Sequence, residues 1–306
     1  MQNIVYASFV INVHDWVYVD ESIATIGRLI DLHEQYKLPV DMYMTDPMVQ
    51  VYMTKAPALI ARMKTSPYVA ISHHLRPPSP YYAGFDWLGL DKLSSADLKA
   101  KLLSYEEHAI DLSTGDPTSA AGGYEYMKQV FGYPPYVVTE AASASAPQKA
   151  LAEIYKAKGA KFSLVHDGKP IEWGDKRNDL LMRPETVEVK VYEAKGDIDF
   201  KTSLLDPAMA TIGTKRPAFI NMKWHDDNFN SSGTPWINVY FADGENKSKL
   251  NPRPWDTKAI GTIKMKTADE KAIQWKRYET ALKYFVDHPE FGVAGARQHA
   301  KWAGLE

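Results

Sequence analysis

Ser8-Phe-Val-Ile-Asn-Val-His14-Asp15-Trp16 is an apolar, β-branched run that stops abruptly at three side chains capable of chemistry. A short run of this kind, followed by a helix-like segment, reads as a buried strand of an α/β domain. Ligands in such domains collect outside the carboxyl ends of the strands, which is where His14 and Asp15 fall. The competing reading is a strand end whose polar residues merely cap the next turn.

Working outward, Ile23, Ile26, Leu29 and Ile30 recur at helical spacing between Glu21 and Tyr36, with Arg28, Asp31 and Glu34 opposite them, so an amphipathic helix is predicted there. Pro39 ends it. Val40 to Thr45 reads as a second strand, Ala58 to Lys64 as a short helix, and Tyr68 to Ser72 as a third strand ending at His73-His74. The alternation continues through helices near Ser94–Leu112, Tyr124–Val130 and Pro147–Gly159, and strands at Pro134–Glu140, Lys161–Asp167 and Ala218–Trp224. A helix from Thr267 to Val286 closes the outside. Alternating strands and helices are the signature of a parallel sheet. The expectation is one (β/α)-barrel domain over residues 1–306, with long loops at 75–93 and 228–257 and an excursion or edge hairpin near 183–205.

Composition removes several classes of function. The net charge is −2 and no Lys/Arg run stands out, so no electrostatic case exists for nucleic acid or an anionic membrane. No apolar window is long enough to span a membrane, and no leader is visible at the start. The chain has no cysteine, which excludes disulfides, thiolate metal sites and a cysteine nucleophile. That leaves the compartment open, and a secreted or periplasmic bacterial protein with its leader removed is compatible.

Four apparent strand ends bring ionisable residues to one face: His14-Asp15, His73-His74, His166-Asp167 and His225-Asp226-Asp227, with Glu140 at a fifth. Recurrence across parallel strands is what a site at the top of an α/β barrel requires. Histidine and aspartate are also the ligands that suit zinc when cysteine is absent. Neighbouring strand residues point to opposite faces, so one of His73 and His74 is structural. Trp16, Trp87 and Trp224 are candidates for stacking on sugar rings, with core packing as the alternative. Arg76, stiffened by the prolines after it, can grip a sugar carboxylate, the alternative being a salt bridge. Asp227 adds a polar contact for substrate.

This order of elements resembles the NodB-type polysaccharide deacetylase family over roughly Ile4 to Asp227. Its first motif, Thr-Phe-Asp-Asp-Gly, is similar to Asn12-Val-His14-Asp15-Trp16; its second, His-(Ser/Thr)-x-x-His, to Ser72-His73-His74-Leu75-Arg76-Pro77; its closing Leu-x-His to Asn221-Met-Lys-Trp-His225. The resemblance implies a deformed parallel (β/α) barrel and a metal-dependent hydrolase that removes N- or O-acetyl groups from a poly- or oligosaccharide. It implies a divalent metal, zinc foremost, on Asp15, His73 and His74, and catalytic roles for His14, Asp15, Glu140 and His225. The departures are specific. The family's catalytic-base aspartate falls on His14, its second metal histidine on Pro77, and its arginine motif on Thr139-Glu140-Ala141. Either His74 or His225 supplies the missing ligand, or the metal is lost and carboxylates among Asp15, Glu140, Asp226 and Asp227 cleave a glycosidic bond. A barrel that only binds glycan is the third reading.

Overall fold

The computed structural model describes residues 4–76, 86–140, 145–165, 169–261 and 263–306, with the side chains of Glu140 and Val165 outside the description. The opening apolar run is β1 (Val5–Val13), buried along its whole length. In chain order there follow α1 (Val19–Tyr36), β2 (Val40–Met44), α2 (Asp46–Lys55), α3 (Pro57–Thr65), β3 (Val69–His73), α4 (Ser95–Glu107), β4 (His108–Ile110), β5 (Pro117–Ala121), α5 (Gly123–Phe131), β6 (Val137–Glu140), α6 (Ala146–Lys158) and β7 (Phe162–Val165). The second half holds β8 (Lys176–Arg177), β9 (Leu180–Met182), β10 (Val187–Lys190), α7 (Asp206–Ile212), β11 (Ala218–His225), α8 (Ile237–Tyr240), α9 (Ala268–Asp287), β12 (Gly292–Val293) and α10 (Ala296–Trp302).

The main sheet runs in the order β10-β11-β1-β2-β3-β6-β7-β9-β8, parallel except for the β8–β9 hairpin. β12 pairs with the start of β1, beside Tyr6 and Ala7, just before β2 takes over at Phe9. Both faces of β1 are covered, which is why its sequence is a continuous apolar run rather than an alternation. Residues 183–186 bring the two sides of the sheet together. The Arg183 amide donates to the Ser163 carbonyl in β7 at 2.8 Å, and the Thr186 amide to the Phe219 carbonyl in β11 at 2.9 Å. This staple curls the sheet into a barrel.

Several expectations shift. The alternation at Thr186–Tyr192 belongs to a parallel strand of the main sheet, β10 on β11, and the antiparallel hairpin lies earlier, at β8 and β9. The helix expected to run to Leu112 stops at Glu107, because His108–Ile110 pairs with Pro117–Ala121 as a two-stranded ribbon. The loop 228–257 carries α8 and two 3₁₀ turns. Gly159 ends α6 as expected, with φ of 102°, a left-handed conformation that side chains other than glycine rarely adopt. Among the described residues no helix is long and apolar enough to cross a membrane.

Candidate functional site

β1 and β11 are parallel neighbours with Asn12 opposite His225, so the two strands end at the same level. The ladder continues one step further through the Asp226 amide, which donates to the Asn12 carbonyl at 2.9 Å. The Asp226 carboxylate then turns back and accepts the amide hydrogens of His14 and Asp15, each at 3.3 Å, and the hydroxyl hydrogen of Ser22 from α1. His225 is fixed from its other side, its amide donating to the Asn228 side chain at 2.8 Å. The consequence is a cluster. His14, His225 and Asp227 each offer a ligand atom, all within 4.8 Å of one another. Asp227 Oδ1 lies 3.9 Å from both His14 Nε2 and His225 Nδ1.

Burial sets the protonation of this cluster. It holds His14 down to about 3, helped by the positive charges of Lys247 and Lys223, and it holds His225 well below the ordinary histidine range, helped first by His14. Both rings are therefore neutral at physiological pH. The same burial pushes Asp227 up to about 7 and, with the neighbouring carboxylates, Asp226 to about 7 and Asp15 to about 8. Among the described residues no lysine or arginine forms an ion pair with any of the three. Among the described residues, both ring nitrogens of His14, Nε2 of His225 and both oxygens of Asp227 are buried without a well-formed hydrogen bond, although Thr234 and nearby backbone amides face Asp227 and temper its shift.

Two neutral imidazoles and a carboxylate with unspent lone pairs are a donor set that suits zinc or a similar divalent ion. Ligand atoms about 2.0–2.1 Å from a tetrahedral ion lie roughly 3.3 Å apart. The two 3.9 Å separations need a closure of about half an ångström to reach that spacing, and the separation between the two histidines, within 4.8 Å, needs a closure of at most about 1.5 Å. The residues fit such an ion.

His14 and His225 line a cleft of about 1330 Å³, together with His74, Thr139, Tyr192 and Trp236. The Tyr192 ring lies against His225, with centroids 4.8 Å apart, and Trp236 meets His14 edge-on at 5.3 Å. The His74 ring is 5.3 Å from that of His14.

Of the residues expected at the site, His14, His225 and Asp227 come together with His74 beside them. Asp15 does not join as a ligand: its Oδ1 accepts the amides of Val17 at 3.0 Å and Tyr18 at 3.3 Å, tying down the entry to α1. His73 points to the opposite face, as strand alternation requires. It is fully buried between the rings of Tyr124 and Tyr155, with Nε2 3.6 Å from Glu106, and cannot share an ion with His74. Arg76 is fully buried as well, paired with Asp46 at 2.9 Å, bonded to the His108 carbonyl and stacked over Tyr105, so its guanidinium is not offered to substrate. Trp224 lies in the core against Phe9 and Tyr278 rather than in the cleft. Trp16 packs edge-on against Tyr240, and Trp87 packs against Trp255. Glu140 ends β6 opposite Val165; its side chain lies outside the described residues, as do Pro77, Ala141, His166 and Asp167.

Three contributions were not legible in the sequence. Asp226 acts as a clamp, and nothing in its spacing distinguishes it from Asp227. Tyr192 follows the alternating strand Thr186–Tyr192, and its place beside His225 becomes visible only once β10 is paired with β11. Trp236 follows Pro235 in a loop, a position that marks it as an aromatic of interest but not as a neighbour of His14.

The sequence matches no family model and no curated protein. Solved structures do resemble it. A putative polysaccharide deacetylase from Mycobacterium smegmatis is 13% identical with a TM-score of 0.51, covering 98% of this chain and 90% of that one. Puue allantoinase is 10% identical with a TM-score of 0.55, covering 99% and 92%. The 4-alpha-glucanotransferase from Thermococcus litoralis is 10% identical with a TM-score of 0.53 over 98% of this chain, which spans only 40% of that longer protein. The chain has the fold they share, the parallel-dominated curled barrel of the polysaccharide deacetylase type expected from its sequence.

Proposed function

We propose that this chain is a metal-dependent hydrolase of acylated carbohydrate, a deacetylase that removes N- or O-acetyl groups from a poly- or oligosaccharide, with residues 1–306 acting as one catalytic unit. The observation that carries the reading is the His14–His225–Asp227 cluster, whose ligand atoms lie within 4.8 Å of one another and whose two histidines line a large cleft. The fold shared with a putative polysaccharide deacetylase supports it.

A divalent ion held by His14, His225 and Asp227 would supply a Lewis acid that polarises the acyl carbonyl and lowers the pKa of water. The protein's own part begins with keeping both imidazoles neutral and therefore able to donate lone pairs. Asp226 holds the His14 backbone in place. Tyr192 and Trp236 flank the two histidines and border the space where a sugar ring would lie. Pockets for small ligands commonly hold about 300–1,000 Å³. This cleft, at about 1330 Å³, has room for more than one sugar unit.

Glycosidic-bond cleavage without metal is less well supported. It needs two carboxylates facing each other across the cleft; of the four expected for it, Asp15 and Asp226 accept backbone amides, Asp227 lies with His14 and His225, and the Glu140 side chain lies outside the described residues. The test combines two assays on protein purified without chelator: metal content, and acetate release from acetylated chito- and xylo-oligosaccharides before and after zinc is added. Metal-dependent acetate release is expected. Metal-free protein that shortens the oligosaccharide would establish the glycosidase reading, and sugar binding without turnover would establish a binding protein.

A further inference from the structure

We infer that His74 is the general base of this centre, taking the proton from the water that attacks the acyl carbonyl. This rests on the hydrolase reading above and assigns a residue role that the reading leaves open.

The backbone puts the ring where it must be. His74 is the first residue beyond β3, and its amide donates to the Met44 carbonyl at 2.8 Å, so the strand ladder still holds it. His73 faces the buried helical side, and alternation sends His74 into the cleft. There its ring lies beside that of His14, 5.3 Å between centroids at a tilt of 60°.

The hydrogen bond it makes decides its chemistry. His74 Nδ1 lies 2.7 Å from the carbonyl oxygen of Leu75. A carbonyl oxygen only accepts, so Nδ1 carries the hydrogen, and in the neutral ring Nε2 keeps its lone pair. Among the described residues His74 lies outside the set of three whose ligand atoms converge within 4.8 Å, which puts this nitrogen next to the centre rather than in it.

Among the described residues, the ionisable groups nearest the centre are already engaged. Asp15 and Asp226 hold backbone amides, Asp227 belongs to the converging set, and Lys223 is paired with Glu188 at 2.9 Å. Lys266 donates to the Asn228 carbonyl.

The step balances as follows. Nε2 takes a proton from water as the water oxygen bonds to the acyl carbon and the carbonyl π pair moves onto its oxygen. When the tetrahedral species collapses, the bond from carbon to the sugar nitrogen or oxygen breaks, and the leaving atom takes the proton back from the His74 imidazolium. Acetic acid and the free amine or hydroxyl result, the acid ionises to acetate by giving its proton to the amine or to solvent, and His74 is restored.

The experiment uses the zinc-loaded protein and two variants, His74→Ala and His74→Gln, with zinc content, thermal transition, kcat and KM for acetate release, and rescue by free imidazole. General bases contribute about 10²- to 10⁴-fold, and a kcat loss of that size is expected with zinc content, KM and thermal transition near the parent's. Imidazole should restore part of kcat in His74→Ala and little in His74→Gln, whose side chain fills the space. Loss of zinc would make His74 a ligand and overturn the inference; unchanged kcat, or loss that imidazole does not rescue, would overturn it too. If the parent protein itself neither binds zinc nor releases acetate, the hydrolase reading has failed and this role falls with it, an outcome distinct from an active parent with an indifferent His74→Ala.

Discussion

The carboxylate of Asp226 accepts the backbone amide hydrogen of His14 at 3.3 Å, so a residue from the end of β11 fixes the end of β1. The same carboxylate takes the amide of Asp15 and the hydroxyl of Ser22. His225 and Asp227 flank it in sequence and lie in the converging cluster. One short stretch thereby contributes two of the three converging side chains and clamps the backbone of the third.

Replacing Asp226 with alanine should leave two buried amides without their acceptor and the Ser22 hydroxyl with the Tyr52 hydroxyl as its remaining described partner. Each such group costs about 1–3 kcal/mol, so urea denaturation should show a loss of about 3 kcal/mol or more, together with weaker zinc binding. Asp226→Asn, which keeps an acceptor oxygen, should lose less. A change below about 1 kcal/mol in Asp226→Ala would mean the clamp is slack.

Much of this arrangement was legible in the sequence, and strand alternation marks where it stopped. The apolar run at Ser8–Val13, the βα order and the clustering of histidines at strand ends follow from period and composition. The argument that separates His73 from His74 also separates Trp224 from His225: adjacent residues on β11 face opposite ways, so a cleft-facing His225 sends Trp224 into the core. Asp15 was harder. It follows the strand in a turn, where alternation no longer applies, and hydrogen bonds to Val17 and Tyr18 decide its direction. For Arg76 the sequence left a sugar contact and a salt bridge open, and its partner Asp46, 30 residues away at the start of α2, is a pairing that only the fold reveals.

Trp224 and Tyr192 should behave oppositely. Trp224→Ala removes a fully buried ring packed on Phe9 and Tyr278, and large aromatic truncations cost about 3–5 kcal/mol. Tyr192→Ala should cost far less stability and weaken oligosaccharide binding, because Tyr192 is a part-exposed wall of the cleft. Calorimetric unfolding and binding titrations on the two variants settle the matter; weaker binding in a folded Trp224→Phe would return Trp224 to the site.

Arg76→Met should destabilise the protein without reducing its affinity for uronate-containing oligosaccharides. Removing one partner of a buried ion pair costs about 3–5 kcal/mol, because the other charge is stranded. Asp46 would keep only the Gly123 amide among the partners described for it. A selective loss of affinity for acidic sugars, with stability intact, would contradict the structural role.

Metal-free protein should be most stable slightly on the acid side of neutrality. Asp15, Asp226 and Asp227 hold protons in the folded state that they release when unfolded, so their contribution is lost as pH rises from near 4 through about 7 to 8. Buried neutral His14, His74 and His225 act in the other sense, losing stability as pH falls below about 6.5. Between pH 6.5 and 8.5 the carboxylates dominate, and each proton of difference is worth about 1.4 kcal/mol per pH unit. Denaturation in chelator at those two values should show the loss, and zinc, which binds the deprotonated carboxylate, should flatten it. Equal stability at both values without metal would show that the carboxylates are not held protonated.

The decisive measurement is the zinc content of two conservative variants, Asp227→Asn and Asp15→Asn, each purified without chelator and loaded with one equivalent of zinc. Asp227 lies 3.9 Å from ring nitrogens of both His14 and His225, whereas the Asp15 carboxylate is bonded to the amides of Val17 and Tyr18. The geometry predicts that Asp227→Asn loses the metal and that Asp15→Asn retains close to one equivalent. Zinc retained in Asp227→Asn and lost in Asp15→Asn would contradict it, and would place the centre on the other side of the His14 backbone.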